Sequence, residues 1–333
     1  MKEALLYKKL NNNDVKCLVC HHQCLISQGQ RGLCGVRENQ GGKLYSLVYN
    51  KIIAFHLDPI EKKPLFHFLP NTYSLSVATM GCNFFCLHCQ NYDISQGPRK
   101  NKKIMGEKIS PKKTVSLALQ YKVPSISYTY TEPTIFLEYA LETMKLAKKQ
   151  GLKNVWVSNG YFSSQTLKLI TPYLDAINID LKFFDSNFYQ KICGGKLKPI
   201  LNNLKLLKKS KIWLEITTLL IPGYTDKNKQ LEEIALFIKK ELGEDVPWHI
   251  SAFYPVYKMN NISPTPLRLI EKAVDIGQKT GLKYVYAGNF NINEDTFCPQ
   301  CQKKVIERKN YNIKIHLKND FCSQCGNKIP GIF

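Results

Sequence analysis

Gly81-Cys-Asn-Phe-Phe-Cys-Leu-His-Cys-Gln90 follows the apolar run Ser74-Leu-Ser-Val-Ala-Thr-Met80 and sets Cys82, Cys86 and Cys89 in the spacing C-x3-C-x2-C. A [4Fe-4S] cube takes four thiolates, so three leave one iron open to a ligand that is not protein. The competing reading is a structural zinc site in which His88 completes a Cys3His set. Zinc knuckles usually pair two C-x2-C units. Here the three thiols fall within eight residues and no second pair stands near them, which favours the cluster.

Outward from this loop, from about Tyr73 to Asn289, apolar β-rich runs alternate with amphipathic helical ones, the pattern of βα units around a parallel sheet. Strands are expected at Ser74 to Thr79, Ser125 to Tyr130, Asn154 to Ser158, Ala176 to Asp180, Lys211 to Leu219, His249 to Tyr254 and Tyr284 to Ala287. Ser110-Pro111 supplies an N-cap and an N1 proline. Pro133 starts a helix that Gly151 can end, Asn228 to Leu242 closes at Gly243, and Pro266 to Thr280 closes at Gly281. Six such units are too few for a closed eight-stranded barrel; the expectation is an α/β fold built on a partial (β/α)6 barrel. Ligands gather at the carboxyl ends of strands in parallel βα architectures. There the chain places the three cysteines, then Thr131-Glu132-Pro133, Ser158-Asn159-Gly160 and Asp180-Leu181-Lys182.

Three cysteines at this spacing after a strand resemble the signature of the radical S-adenosylmethionine (SAM) enzymes. The resemblance implies that SAM chelates the open iron through its amino and carboxylate groups and that the reduced cluster cleaves it to a 5'-deoxyadenosyl radical. The mouth offers partners for such a ligand. The flat ring of His88 suits adenine, or merely shapes the loop. Glu132 can accept from the methionyl ammonium, or serve as an acidic residue at a helix N-terminus. Ser158 and Asn159 suit the ribose or carboxylate, although Ser-Asn-Gly is good turn chemistry by itself. Asp180 and Lys182 share a face and form either a ligand grip or a structural ion pair.

The cluster loop, Tyr-Thr-Glu-Pro133 where pyruvate formate-lyase activating enzymes carry Gly-Gly-Glu-Pro, Val-Ser-Asn-Gly160 and Ile-Asp-Leu-Lys182 together resemble that activase branch over roughly residues 70 to 290. More narrowly, Gly-Leu-Cys-Gly-Val-Arg-Glu-Asn39, Asp-Pro-Ile-Glu-Lys-Lys-Pro-Leu-Phe-His67, the cluster loop and the C-terminal Cys pairs resemble the AmmeMemoRadiSam system radical SAM enzymes across nearly the whole chain. By this resemblance Cys82, Cys86 and Cys89 hold the cluster, Thr131 and Glu132 meet the methionyl amine, and Asp180 with Lys182 lies against SAM. Thr131 replaces the second glycine of the activase motif, which narrows the pocket there. Activases also place a His near SAM after the sixth strand, where this chain offers His249 and Tyr254. The resemblance points to a glycyl site on a protein as target, an external electron donor and the other proteins of that system as partners.

Eleven of the twelve cysteines fall into three groups, and Cys193 stands alone. Cys17, Cys20, Cys24 and Cys34 (C-x2-C-x3-C-x9-C) make a four-thiolate set for zinc or an auxiliary [4Fe-4S] cluster, with His21 and His22 beside it. Cys298, Cys301, Cys322 and Cys325 (C-x2-C-x20-C-x2-C) read as a zinc ribbon, with rubredoxin-like iron as the alternative. Three regions follow: a Cys-rich N-terminal segment with a hairpin at Lys43 to Ala54 (1–70), a core domain (71–290) and a C-terminal zinc-ribbon-like module (291–333). Grouped cysteines in a chain of 333 residues, with no signal-peptide pattern and no membrane-span-length apolar run, suggest a cytoplasmic protein. The formal charge of +21 invites a nucleic-acid partner, but only five of the 47 basic residues are Arg, and Arg is the residue of bidentate phosphate recognition. A non-catalytic, multi-zinc nucleic-acid-binding protein is the alternative to the enzyme.

Overall fold

A computed structural model describes residues 1–290, 294–309 and 311–333. All seven expected runs pair in one sheet, with an eighth strand added at its edge. The strands are β1 Ala54–Pro59, β2 Tyr73–Ala78, β3 Ser125–Tyr128, β4 Lys153–Ser158, β5 Ala176–Asp180, β6 Trp213–Leu220, β7 Trp248–Ala252 and β8 Val285–Gly288. They lie in chain order across the sheet. The seven from β2 to β8 are parallel, and β1 runs antiparallel to β2. Parallel strands are covered on both faces and read as continuous apolar runs; β3 is buried at every position.

The crossovers carry helices α1 Tyr92–Asn101, α2 Pro111–Gln120, α3 Leu137–Lys149, α4 Ser164–Ile170, α5 Leu197–Lys208, α6 Asn228–Phe237 and α7 Leu267–Thr280. Ser110 caps α2 as expected, its hydroxyl accepting from the Lys113 amide at 3.2 Å. Pro133 opens a short 3-10 turn, Pro133–Phe136, before α3 begins. The helix expected over Asn228 to Leu242 is regular only to Phe237; its last turn, Ile238–Leu242, is a wider π turn.

The N-terminal hairpin differs from the expectation. It pairs Arg37–Gln40 with Lys43–Ser46 around Gly41-Gly42, while the end of the expected hairpin, Ala54, begins β1 of the main sheet. Arg37 carries this hairpin into the core: its guanidinium grips Glu138 of α3 with two bonds of 3.0 and 2.7 Å, and both side chains are buried. Such a pair is costly to break on one side, by about 3–5 kcal/mol.

At the other end, Lys304–Lys309 pairs with Thr296–Phe297 and Asn312–Ile315 in a small antiparallel sheet. This part is fastened to residues 66–69. Arg308 donates to the Phe66 carbonyl at 2.7 Å, and the Ile332 amide donates to His67 O at 2.8 Å while Leu69 N donates to Ile332 O at 2.7 Å. The boundary expected between 290 and 291 falls against residues 291–293, which lie outside the described residues.

Candidate active site

A cavity of about 820 Å³ opens at the carboxyl ends of the parallel strands, a size suited to a small-molecule cofactor. Cys82, Cys86 and Cys89 line it, and so do His88, Thr131, Glu132, Ser158, Asn159, Asp180 and Lys182. The structure therefore brings every expected residue of the central site to one place.

The cluster loop leaves β2 at Gly81 and runs beside a stretch the sequence reading left aside. The Phe85 amide donates to Cys193 O and the Leu87 amide to Ile192 O, both at 3.0 Å. Gly194 and Gly195 permit this approach: a Cβ at Gly195 would lie 2.4 Å from the Phe84 ring, and one at Gly194 would lie 1.9 Å from Phe85. Cys193 is fully buried. The ligand atoms of Cys86, His88 and Cys193 all fall within 4.8 Å of one another. The adjacent glycines were the only local sign of this wall.

His88 is 4 % exposed, and neither ring nitrogen has a protein partner. Burial, with the Lys182 charge nearby, pushes its pKa down to about 3, so the ring is neutral where it lines the cavity.

Glu132 does two jobs in the fold. Its Oε1 accepts from the Ser158 hydroxyl at 2.8 Å and the Thr134 amide at 3.2 Å, capping the Pro133 turn. Its Oε2 accepts from the Asn159 amide at 2.9 Å. Burial raises its pKa, against the pull of these donors. Asn159 in turn donates to Asn83 Oδ1 at 2.7 Å, so the end of β4 is tied to the cluster loop. Asp180 and Lys182 pair at 2.9 Å. Burial alone would lower the Lys182 pKa, but Asp180, then Cys86 and Cys193, hold it well above the usual value.

Thr131 bonds the Thr79 carbonyl at 2.9 Å. The residue before it, Tyr130, stands where activases carry the first glycine of their motif and adopts φ 64°, a left-handed conformation that favours glycine. It is held there from both ends. Asn91 donates to its carbonyl at 2.7 Å, and its hydroxyl donates to Asp58. Lys63 pairs with the same carboxylate at 2.7 Å. Burial opposes ionisation of Asp58, yet the bonds from Lys63 and Tyr130 hold its pKa down at about 2.

His249 also lines the cavity, whereas Tyr254 is not among the lining residues and is 47 % exposed. His249 Nε2 meets Glu215 Oε2 at 2.6 Å, and the same carboxylate accepts from the Phe66 and His67 amides at 2.9 and 2.8 Å. Sequence reasoning missed Glu215, an acid within an apolar strand. It also missed the mouth residues Glu61, Glu294 and Tyr311.

The four C-terminal thiols of Cys298, Cys301, Cys322 and Cys325 gather within 4.8 Å, with Cys298 to Cys325 and Cys301 to Cys322 each at 3.6 Å. Bonds of about 2.3 Å to one tetrahedral zinc would set sulfurs about 3.8 Å apart, so this set fits a single ion.

The family model of the Radical SAM superfamily matches residues 76–238. The chain is 44% identical over 334 residues to the uncharacterized protein MJ0808 of Methanocaldococcus jannaschii, covering 99% of each chain. The chain belongs to the radical SAM superfamily. It is 28% identical over 236 residues to the putative glycyl-radical enzyme activating enzyme MJ1632 of the same organism, 70% of this chain and 85% of that one. The fold is shared with Streptococcus suis SuiB, solved bound to S-adenosylmethionine, at a TM-score of 0.52 and 15% identity over 69% of this chain and 53% of that one. This radical SAM protein is thus an enzyme related to activating enzymes, and its superfamily implies a [4Fe-4S] cluster and SAM. Nothing in the comparisons supports the nucleic-acid-binding alternative. No helix among the described residues is long and apolar enough to cross a membrane.

Proposed function

We propose that Cys82, Cys86 and Cys89 hold the cluster, that SAM fills the cavity beside them, and that the enzyme removes a hydrogen atom from a glycyl site on a partner protein. The observation that carries this is the meeting, on one cavity, of three thiols with polar groups from three further strand ends. When bound, the reduced cluster and SAM supply a 5'-deoxyadenosyl radical. The chain's own residues do the rest. Neutral, unpartnered His88 offers its face to adenine. Glu132, already fixed by Ser158, Thr134 and Asn159, presents a carboxylate edge to the methionyl ammonium, with Thr131 beside it. Ser158, Asn159 and the Asp180–Lys182 pair take the ribose and the carboxylate.

An external one-electron donor is required, and the other AmmeMemoRadiSam system proteins are the natural partners on the sequence resemblance. The C-terminal thiols hold zinc in this reading, the core is a partial (β/α)6 barrel, and the protein works in the cytoplasm. The test is the EPR spectrum of anaerobic, dithionite-reduced protein with and without SAM, together with an assay for 5'-deoxyadenosine. Cys86→Ala should abolish the SAM-responsive signal and SAM cleavage while leaving the C-terminal zinc. A wild-type protein that shows neither SAM-dependent change nor cleavage overturns the reading.

A further inference from the structure

Two places among the described residues gather metal-ligating side chains closely enough to hold an ion. One is the C-terminal set of four cysteines; the other is Cys86, His88 and Cys193, whose ligand atoms all lie within 4.8 Å of one another. Cys17, Cys20, Cys24 and Cys34 form no such group among the described residues. A cube held by Cys82, Cys86 and Cys89 makes no use of Cys193, so the cluster does not account for this second set.

The backbone fixes the meeting. Cys193 ends the π turn Tyr189–Cys193, and Gly194, at φ 76°, turns the chain away after it. The Phe85 and Leu87 amides bond the Cys193 and Ile192 carbonyls on either side of Cys86, so the loop cannot draw its middle cysteine away from the turn without losing both bonds. All three ligands are more than nine-tenths buried, with Cys86 7 %, His88 4 % and Cys193 0 % exposed. Both cysteines are free thiols.

His88 carries the second, independent sign of a ligand. Its two ring nitrogens are buried, and among the described residues neither has a hydrogen-bond partner. Buried polar groups in native structures are paired in the great majority of cases. Stacking on adenine would use the face of the ring and leave both nitrogens as they are, whereas a metal ion takes one of them.

The donor set also selects the ion. Two thiolates and an imidazole suit zinc, and their two negative charges balance a divalent cation, so the loaded set is neutral, which burial favours. Bonds of about 2.3 Å to sulfur and about 2.0 Å to nitrogen put the ligands of one tetrahedron about 3.5–3.8 Å apart; small side-chain shifts close the set from its present span. Three protein ligands leave a fourth position, which is reached from the cavity that Cys86 and His88 line.

We propose that Cys86, His88 and Cys193 bind one zinc ion in the cluster-free protein, and that this ion and the radical SAM cluster exclude one another through their common ligand, Cys86. Binding displaces one proton from each thiol to solvent. The Cys86 thiolate then has no place for the outward iron of a cube. The exclusion rests on the proposed cluster ligands; the zinc site itself does not.

The experiment strips the full chain of iron and zinc with a chelator under anaerobic conditions, reloads it with zinc, and counts zinc per chain after gel filtration, beside Cys193→Ser and His88→Phe. The wild type should hold one zinc more than either variant, whatever the other cysteine groups bind, because those groups are the same in all three. Cobalt(II) used in place of zinc should give thiolate charge-transfer and tetrahedral d–d bands in the difference between the wild type and Cys193→Ser. Equal zinc in all three proteins overturns the proposal, and the two variants, on different elements, guard against one that fails to fold. Exclusion is read by adding iron and sulfide: zinc loading should lower the iron taken up by the wild type more than that taken up by Cys193→Ser. An equal effect on both overturns the exclusion. SAM cleavage is assayed on zinc-free wild type alone, so failure of the proposed function and failure of this inference are distinct results.

Discussion

Glu132→Gln separates the structural duty of this residue from its proposed contact with SAM. In the fold its Oε1 accepts from Ser158 and Thr134, and its Oε2 accepts from the Asn159 amide at 2.9 Å. A glutamine can keep its oxygen toward Ser158 and Thr134, but its NH2 then faces the Asn159 N–H, donor against donor. One buried amide loses its acceptor, a cost of about 1–3 kcal/mol in stability. The SAM contact is a second, separable quantity. A hydrogen bond between charged groups contributes about 1.5–3 kcal/mol, and at 1.4 kcal/mol per decade its loss weakens SAM binding by about 10- to 150-fold. Anaerobic SAM titration of the reconstituted variant, followed by calorimetry and by the EPR change, measures the affinity; denaturant melts of the same preparation measure stability. A variant that loses stability as expected yet binds SAM within about twofold of wild type would show that Glu132 only caps the Pro133 turn and clamps Asn159.

Arg37→Ala strands the buried Glu138 carboxylate and should cost about 3–5 kcal/mol in anaerobic denaturation, whereas Arg37→Met with Glu138→Leu should recover most of it; no recovery would mean that the hairpin is held mainly by other contacts. Gly195→Ala puts a methyl 2.4 Å from the Phe84 ring and should lower the iron retained at the radical SAM loop, read as iron per chain after gel filtration, while Gly223→Ala, which strains a turn at φ 79° outside the cavity lining but brings a Cβ within 4 Å of nothing, should not. Glu294 faces Arg308 and Glu61, and burial lifts its pKa to about 7 even though Arg308 pulls the other way. A carboxyl raised in the folded state binds its proton more tightly than in the unfolded chain, so stability should fall as pH rises from about 4.5 through about 7; Glu294→Gln should flatten that slope in denaturant midpoints taken at pH values across this window, and an unchanged slope would remove Glu294 as its source.

The parallel strands were legible because both of their faces are covered, and the seven runs differ from the observed strands by one or two residues at most ends. The misplaced ends have local causes. The run expected to reach Tyr130 stops at Tyr128, because Tyr130 turns to φ 64° to send Thr131 and Glu132 into the cavity. β1 escaped notice because Ala54–Pro59 lies at one edge, only Asp58 of its six residues is buried, and it carries His56, Asp58 and Pro59, which do not read as an apolar run. The hairpin was placed too late because alternation in Lys43 to Ala54 outweighed Gly41-Gly42, the two glycines that turn it. Site residues at strand ends could be read because topology sends those ends to one mouth. Cys193 could not, since its contact with Cys86 joins positions far apart in sequence.

The motif Asp-Pro-Ile-Glu-Lys-Lys-Pro-Leu-Phe-His67 shows how a stretch without recognisable chemistry can still build the site. Its Asp58–Lys63 pair secures Tyr130 in a left-handed conformation that favours glycine. Left-handed backbone at a non-glycine residue costs on the order of 1–3 kcal/mol, and the Asp58 bonds and the Asn91 bond to the Tyr130 carbonyl offset it. The Phe66 and His67 amides bind Glu215, which holds His249 at the opposite side of the cavity. The Phe66 carbonyl then receives Arg308 from the C-terminal part. One segment thus couples the Thr131–Glu132 turn, the His249 wall and the terminal module. It follows that Asp58→Asn should act at a distance: with the Lys63 pair weakened, Tyr130 loses its anchor and Glu132 its fixed approach, so SAM affinity should fall although residue 58 lies outside the set assigned to SAM. Tyr130→Gly in the same chain removes the strained side chain and the need for the anchor. If Asp58→Asn weakens SAM binding equally in the Tyr130→Gly background, the carboxylate acts on the ligand directly rather than through the turn.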